Sequence, residues 1–382
     1  MQLDKLQFTA GEWSTIHQDI TQPDRADLVL VFGDSDLSAP EQLLRTLQYR
    51  YPNAWITGAS SCGHVISDSI NRSEAVATAI AFDQATVKGT WIDFEPGTNS
   101  EALAQQLLQQ LPSADLRHLL VLSDGLNING SRLAHGLNHS RVSVSGGLAG
   151  DSTRFQRTWV IANDLPRPNR IAAIGLYGEQ LAVHCQSYAG WSPFGANRTV
   201  TRARANQLFE LDHEPALALY KRYLGEFATE LPASGMRFPL CINTGPDDDG
   251  VIRTLLGINE DEQSITFAGD IPEGASVRLM HPNFNRLIEG AAETVTGLGE
   301  THGANGLALV VSCGGRRSVM GVQTEEELSI IREHLPASFR ISGFYSYGEL
   351  GPLPHNNTLC HLHNQTITVT CIHEHPREEH RQ

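Results

Sequence analysis

Residues 341–350 read ISGFYSYGEL, and the reading of that stretch decides the fold. An alternating strand runs into a Gly-flanked loop whose tip carries Tyr345, Ser346, Tyr347 and Glu349, where a plain connection needs only turn formers. A second β-rich run, CHLHNQTITVT, follows from Cys360. Residues 142–151, VSVSGGLAGD, show the same pattern about 200 residues earlier: an alternating strand, then S-G-x, then an acid. Two copies of one pattern predict a duplicated architecture with a polar loop at the same place in each half.

The flanks extend the repeat. LALVVSCGG, a helix, RISGFYSYGE and ITVTCI in the second half parallel LLVLSDG, a helix, VSVSGGLAGD and IAAIGLYG in the first. Short apolar strands alternating with helical periodicity give an α/β (mixed α+β) class, here as two related units. The boundaries follow as a lead segment 1–27, a first domain 28–206, a second domain 207–372 and a charged tail 373–382. At the junction, residues 207–231 predict a long helix with Asp212 near its cap and Leu217, Leu224 and Phe227 in one apolar stripe. NSEALAQQLLQQL predicts a helix started by Asn99 or Ser100.

Composition excludes several function classes. A net charge of −15 over 382 residues argues against non-specific nucleic-acid binding, which needs excess Lys and Arg. No apolar run approaches the roughly 20 residues that span a bilayer, and the first residues do not form a secretory signal. Six scattered cysteines without a C-x-x-C pair predict reduced thiols in a cytoplasmic protein and no zinc ribbon.

Four small-residue loops follow strands: residues 58–64, 123–130, 146–151 and 312–317. Strand ends are where α/β sheets bind ligands, so a shared pocket is the expectation, although none of the loops is a Walker or dinucleotide motif. Cys62 with His64, or Cys313 beside Arg316, can be drawn as an activated thiol, but two residues' separation gives no special proton-transfer geometry. Asp124, Asp151 and Glu349 are equally explained as turn and capping acids. His361 and His363 share one strand face, as do His373 and His375, the latter pair expected in solvent. His184 lies on an apolar strand near Tyr188, Trp191 and Phe194, a setting suited to a proximal haem ligand or to a core histidine bonded to a carbonyl.

These motifs resemble a FIST-domain protein with its N and C halves in order. The matching stretches are VFGDS, ITGASSCG, LSDGLNINGS and SGGLAGD, then ELDHEPALALYKRYLG, FAGDIPEGASVRLM, LVVSCGGRR, GFYSYGELGP and LHNQT, from about residue 28 to about residue 372. The chain is most similar to stand-alone bacterial members of the nitric-oxide-sensing type. The resemblance implies a non-enzymatic cytoplasmic sensor that binds haem b and nitric oxide and regulates a partner histidine kinase in a two-component system. No output module is visible, so a separate partner is expected. His184 and His363 are the candidate metal ligands, His363 lying within LHNQT beside Asn364. The alternative is an amino-acid or small-metabolite sensor without haem, with Arg316 and Arg317 clamping a carboxylate, and Tyr345, Tyr347 and Glu349 fixing an amino group.

Overall fold

The structure, a computed structural model, describes residues 1–243, 250–299, 301, 303–353 and 356–375. Most of the GPDDDG turn and the last residues of the expected tail lie outside that set. The architecture is mixed α/β, as the sequence implies, and the repeat seen twice in the sequence is present a third time.

Each unit is a parallel pair of strands joined by helix. Leu28–Gly33 pairs with Trp55–Ser60 across Pro40–Arg50. Leu116–Ser123 pairs with Ser143–Leu148 across Gly130–Leu137. Gly306–Cys313 pairs with Phe339–Ser346 across Gly314–Met320 and Thr324–His334. LVLVFG and GLALVVSC are buried at every position, which is why parallel strands covered on both faces read as unbroken apolar runs. An antiparallel strand flanks each first strand: Ala75–Ala81, Arg170–Tyr177 and Ile367–Glu374.

One contact recurs in all three units. Gly58 faces Val31, Gly146 faces Val121 and Gly343 faces Val310 across the parallel ladder. A Cβ at these glycines would stand 2.1, 1.8 and 1.9 Å from the facing valine's carbonyl oxygen. The S-G or T-G step in each second strand is therefore a steric requirement of close backbone approach.

The units are locked in a ring. The strand after each second strand crosses to a neighbour: His64–Ile66 pairs with Phe339–Ser346, Gly348–Leu353 with Ser143–Leu148, and Val160–Ala162 with Trp55–Ser60. The cycle closes, so the segments following the three second strands meet at one place.

Between the second and third units lies an antiparallel body running from Ser192–Arg204 to Ser276–His281, with its own core of Leu208, Leu217, Tyr220, Leu240 and Phe267. The long helix expected over 207–231 is not formed. Gln207–Leu211 is a strand, the helix is Ala216–Leu224, and a 3-10 segment Gly225–Glu230 follows. Asp212 and His213 adopt positive φ and turn the chain, so Asp212 caps nothing and instead accepts from Thr199 N and Arg198. Leu217 and Leu224 are buried as expected, but Phe227 is exposed. No helix among the described residues is long and apolar enough to cross a membrane.

Candidate functional site

Where the ring closes, the post-strand segments bond to one another through backbone. Gly150 N donates to Ser60 O at 2.9 Å, Cys62 N to Tyr345 O at 2.7 Å, Tyr345 N to Gly63 O at 2.8 Å, and Tyr347 N to Leu148 O at 3.0 Å. Two of the four expected loops, 58–64 and 146–151, thus meet the 345–347 tip; the 123–130 loop joins through Ala149 N, which donates to Ser123 O at 2.7 Å, and the 312–317 loop joins as the start of the helix Gly314–Met320. The Cys62 sulfur is wedged against Gly150 and Gly314, each of which has no room for a Cβ beside it.

A cleft of about 410 Å³, counted to its open mouth, separates the ring from the antiparallel body. The ring supplies Ser152, Phe155, Gly314, Gly315, Ser346 and Tyr347, and the opposite wall is Met236, Thr254, Leu256 and Ala268. The rings of Phe155 and Tyr347 stack with centroids 4.6 Å apart and planes at 13°. The Tyr347 hydroxyl donates to Asp151 Oδ1 and accepts from Phe155 N at 3.2 Å. Burial alone would raise the Asp151 pKa, but the Tyr347 hydroxyl and the N–H groups of Arg157, Gln156 and Phe155 outweigh it and hold the carboxylate below its usual range.

Directly behind Ser346 is Glu349, which is fully buried. Ser346 Oγ donates to Oε1 at 2.6 Å, and Thr366 Oγ1 donates to Oε2 at 2.7 Å. Burial pushes the Glu349 pKa up to about 8 against these hydrogen bonds and the Arg316 charge. Thr366 lines a second, open cavity of about 850 Å³, counted to its mouth, with Tyr188, Trp191, Met280, Arg286 and His363.

The sequence candidates separate on this frame. Tyr347 lines the cleft, and Glu349 lies one hydrogen bond behind it. Tyr345 points away, its ring under Arg317 and its hydroxyl buried without a partner. Arg316 is not a carboxylate clamp: it is fully buried, with Nε on Glu327, Nη1 on Ala189 O and Nη2 on Leu287 O, each at 2.5 Å. Arg317 donates to Cys62 O instead of facing the cleft. Asn364 is buried with neither amide atom partnered. His363 is buried, with Nε2 3.1 Å from Gly351 O. His373, expected in solvent, is buried in the strand Ile367–Glu374.

The two proposed metal ligands do not share a cavity. His184 keeps a buried Nε2 without a hydrogen-bond partner, and its ring lies against Gly297. With Val183, Cys185 and Cys360, His184 lines a separate cleft of about 400 Å³, counted to its open mouth. His363 lines the second cavity instead, so the two histidines are not placed to hold one haem iron between them. Among the described residues no group of three or more His, Cys, Asp or Glu is arranged to hold a metal ion.

The thiols are not activated either. Burial pushes Cys62 up to about 12, and Cys313 higher still with Glu349 adding to the shift. His64 is held down to about 4 by burial, with Nε2 2.7 Å from Ser73 O, so it does not serve Cys62. Phe155 and Thr254 are site residues that the sequence did not single out. Ser346 was legible as part of the YSYGE tip, whereas Phe155 and Thr254 carry no local signal.

Residues 27–214 match the family model of the FIST N domain and residues 216–352 that of the FIST C domain. No curated protein matches. Two solved structures of cyanuric acid hydrolase, one from A. caulinodans, align over 98% of this chain and 99% of theirs at 7% and 9% identity, each with a TM-score of 0.38. At that score the likeness carries no argument about fold or activity.

Proposed function

Because the chain belongs to the FIST-domain family of small-ligand-sensing signalling modules, we propose that it is a cytoplasmic, non-catalytic sensor whose ligand binds in the cleft between the ring and the antiparallel body. The observation that carries this reading is the position of that cleft. It lies beside the point where the three repeats converge, lined there by segments of the second and third, and its other wall belongs to a body with a separate core. A ligand held between two bodies acts on the equilibrium between their arrangements, which is how a sensor without chemistry passes a signal to a partner. The partner proposed is a histidine kinase, on the strength of the resemblance to stand-alone family members.

The test is a thermal-shift screen of metabolites against wild type and Ala268→Trp, which fills the cleft from the antiparallel wall. A true ligand at about 100 times its Kd stabilises wild type by about 2.7 kcal/mol and leaves the variant unmoved. A ligand that stabilises both proteins equally places the site elsewhere.

Haem-dependent nitric oxide sensing is the second reading, favoured by one observation, the buried and unpartnered Nε2 of His184. Bound haem would supply the iron that takes the gas. Absorption spectra of the haem-reconstituted protein decide it: a Soret band lost in His184→Ala supports it, and a featureless spectrum removes it.

A further inference from the structure

Four arginines adjoin residues of the cleft in sequence, and all four point away from it. Arg154, between Thr153 and Phe155, reaches Asp36 and Ser35. Arg253, next to Thr254, donates to Leu362 O at 2.9 Å and Asp270 O at 3.3 Å. Arg316 and Arg317, beside Gly315, are held by Glu327 and by Cys62 O. The neighbouring acids are equally occupied. Asp151 accepts from Tyr347 and three backbone N–H groups, and Glu349 accepts from Ser346 and Thr366. No described residue lining the cleft is charged.

What does face the cleft is hydroxyl and apolar surface. Thr254 is only 6% exposed, and its Oγ1 has no hydrogen-bond partner. Ser346 Oγ–H donates its hydrogen bond to Glu349, which leaves oxygen lone pairs to accept from a ligand. Phe155, Met236 and Leu256 supply apolar contact. An ion entering this cleft loses hydration with no counter-charge to replace it, whereas an uncharged molecule loses only hydrogen bonds that these hydroxyls restore.

Resting on the cleft reading above, we infer that the ligand is a small uncharged molecule with an apolar face and a polar edge that both donates and accepts, of the carboxamide or cyclic-amide class, and not an amino acid, a carboxylate or a haem. Ser346 takes the ligand N–H, and Thr254 donates to its carbonyl.

Three isosteric pairs test the inference by calorimetry on the full chain: nicotinamide and nicotinate, benzamide and benzoate, propionamide and propionate. The expected result is that binding is confined to amides, is unchanged between low and high salt, and is weakened in Thr254→Val by about five-fold, the worth of one hydrogen bond. A carboxylate or free amino acid that binds wild type, and binds Thr254→Val less well, overturns the uncharged class and leaves the cleft standing. Amide binding equal in wild type, Thr254→Val and Ala268→Trp overturns the cleft reading itself. Failure of all three amides to bind overturns the inference.

Discussion

Ser346 and Glu349 are joined by a 2.6 Å hydrogen bond from the Ser346 hydroxyl, and Thr366 holds the other carboxyl oxygen at 2.7 Å. Ser346 lines the cleft and Thr366 the larger second cavity, so one buried carboxyl connects the two spaces. Any change in the cleft that repositions Ser346 is felt at Glu349 and hence at Thr366.

Glu349 makes stability pH-dependent in a defined direction. Its folded pKa, about 8, lies above the ordinary value of 4.5 because it is buried. Between those values the native state holds a proton that the unfolded chain has released. Stability therefore falls as pH rises from 4.5 through 8, by a few kcal/mol in total, and this contribution is flat outside that window. Arg316 is the charged group facing Glu349, and the nearby Cys313 and Cys62 thiols stay protonated across the window. Urea denaturation of wild type and Glu349→Gln at pH 5 and pH 8 checks this: the wild type loses ground against the variant as pH rises. Parallel pH profiles for the two proteins exclude it.

The glycine contacts of the ring give a steric prediction. Gly343→Ala places a methyl about 1.9 Å from Val310 O, against backbone that has no room to move. The expected cost is about 3 kcal/mol or more, enough to reduce soluble yield sharply. Gly257→Ala, with nothing within 4 Å, is the control and stays near wild type. Equal melting temperatures for the two variants would show that the parallel ladder is looser than described.

Much of this frame was legible in the sequence because its causes are local. The parallel strands are buried on both faces, so LVLVFG and GLALVVSC read as apolar runs, and the S-G step follows from one close contact. Asn99 was readable as a cap, and its side chain does accept from Glu101 N and Ala102 N. The stripe of Leu217, Leu224 and Phe227 suggested one long helix, but only Ala216–Leu224 is α-helical. The turn at Asp212 and His213, which makes Gln207–Leu211 a strand, depends on left-handed backbone that these residue types permit without requiring. The third repeat was masked by its differing sequence, VFGDS and ITGASSCG. Arg316 looked like a ligand clamp because nothing local reveals Glu327 at 2.5 Å. The opposite wall of the cleft comes from another body, and no spacing in a sequence predicts that Thr254 faces Ser346.

Tyr347 tests the front of the cleft. Tyr347→Phe keeps the stack on Phe155 and removes the hydroxyl from Asp151. Asp151 then loses one of the bonds that hold its pKa down. A depressed carboxylate stabilises the fold above its unfolded pKa, near 3.8, and that gain disappears as pH falls through the folded value. The variant is therefore less stable than wild type by about 1 kcal/mol at neutral pH, and the gap closes in acid. Denaturation at pH 7 and below pH 3 measures both. A gap that persists in acid would assign the loss to packing instead.

The cysteines test whether the ring centre is closed in the native protein. Five of the six, Cys62 and Cys313 among them, are buried, and only Cys241 is partly accessible. Cys62, pushed up to about 12, has almost no thiolate at neutral pH, and the wedge between Gly150 and Gly314 leaves no path for a reagent. Native protein treated with iodoacetamide at pH 7.5 should label at Cys241 alone by peptide mass spectrometry, and denatured protein at all six. A ligand that draws the antiparallel body onto the ring leaves Cys62 unlabelled. Labelling of Cys62 in the ligand-free protein would mean that the ring opens at its centre, and a sensor built on movement of the ring itself would replace one built on closure of the cleft.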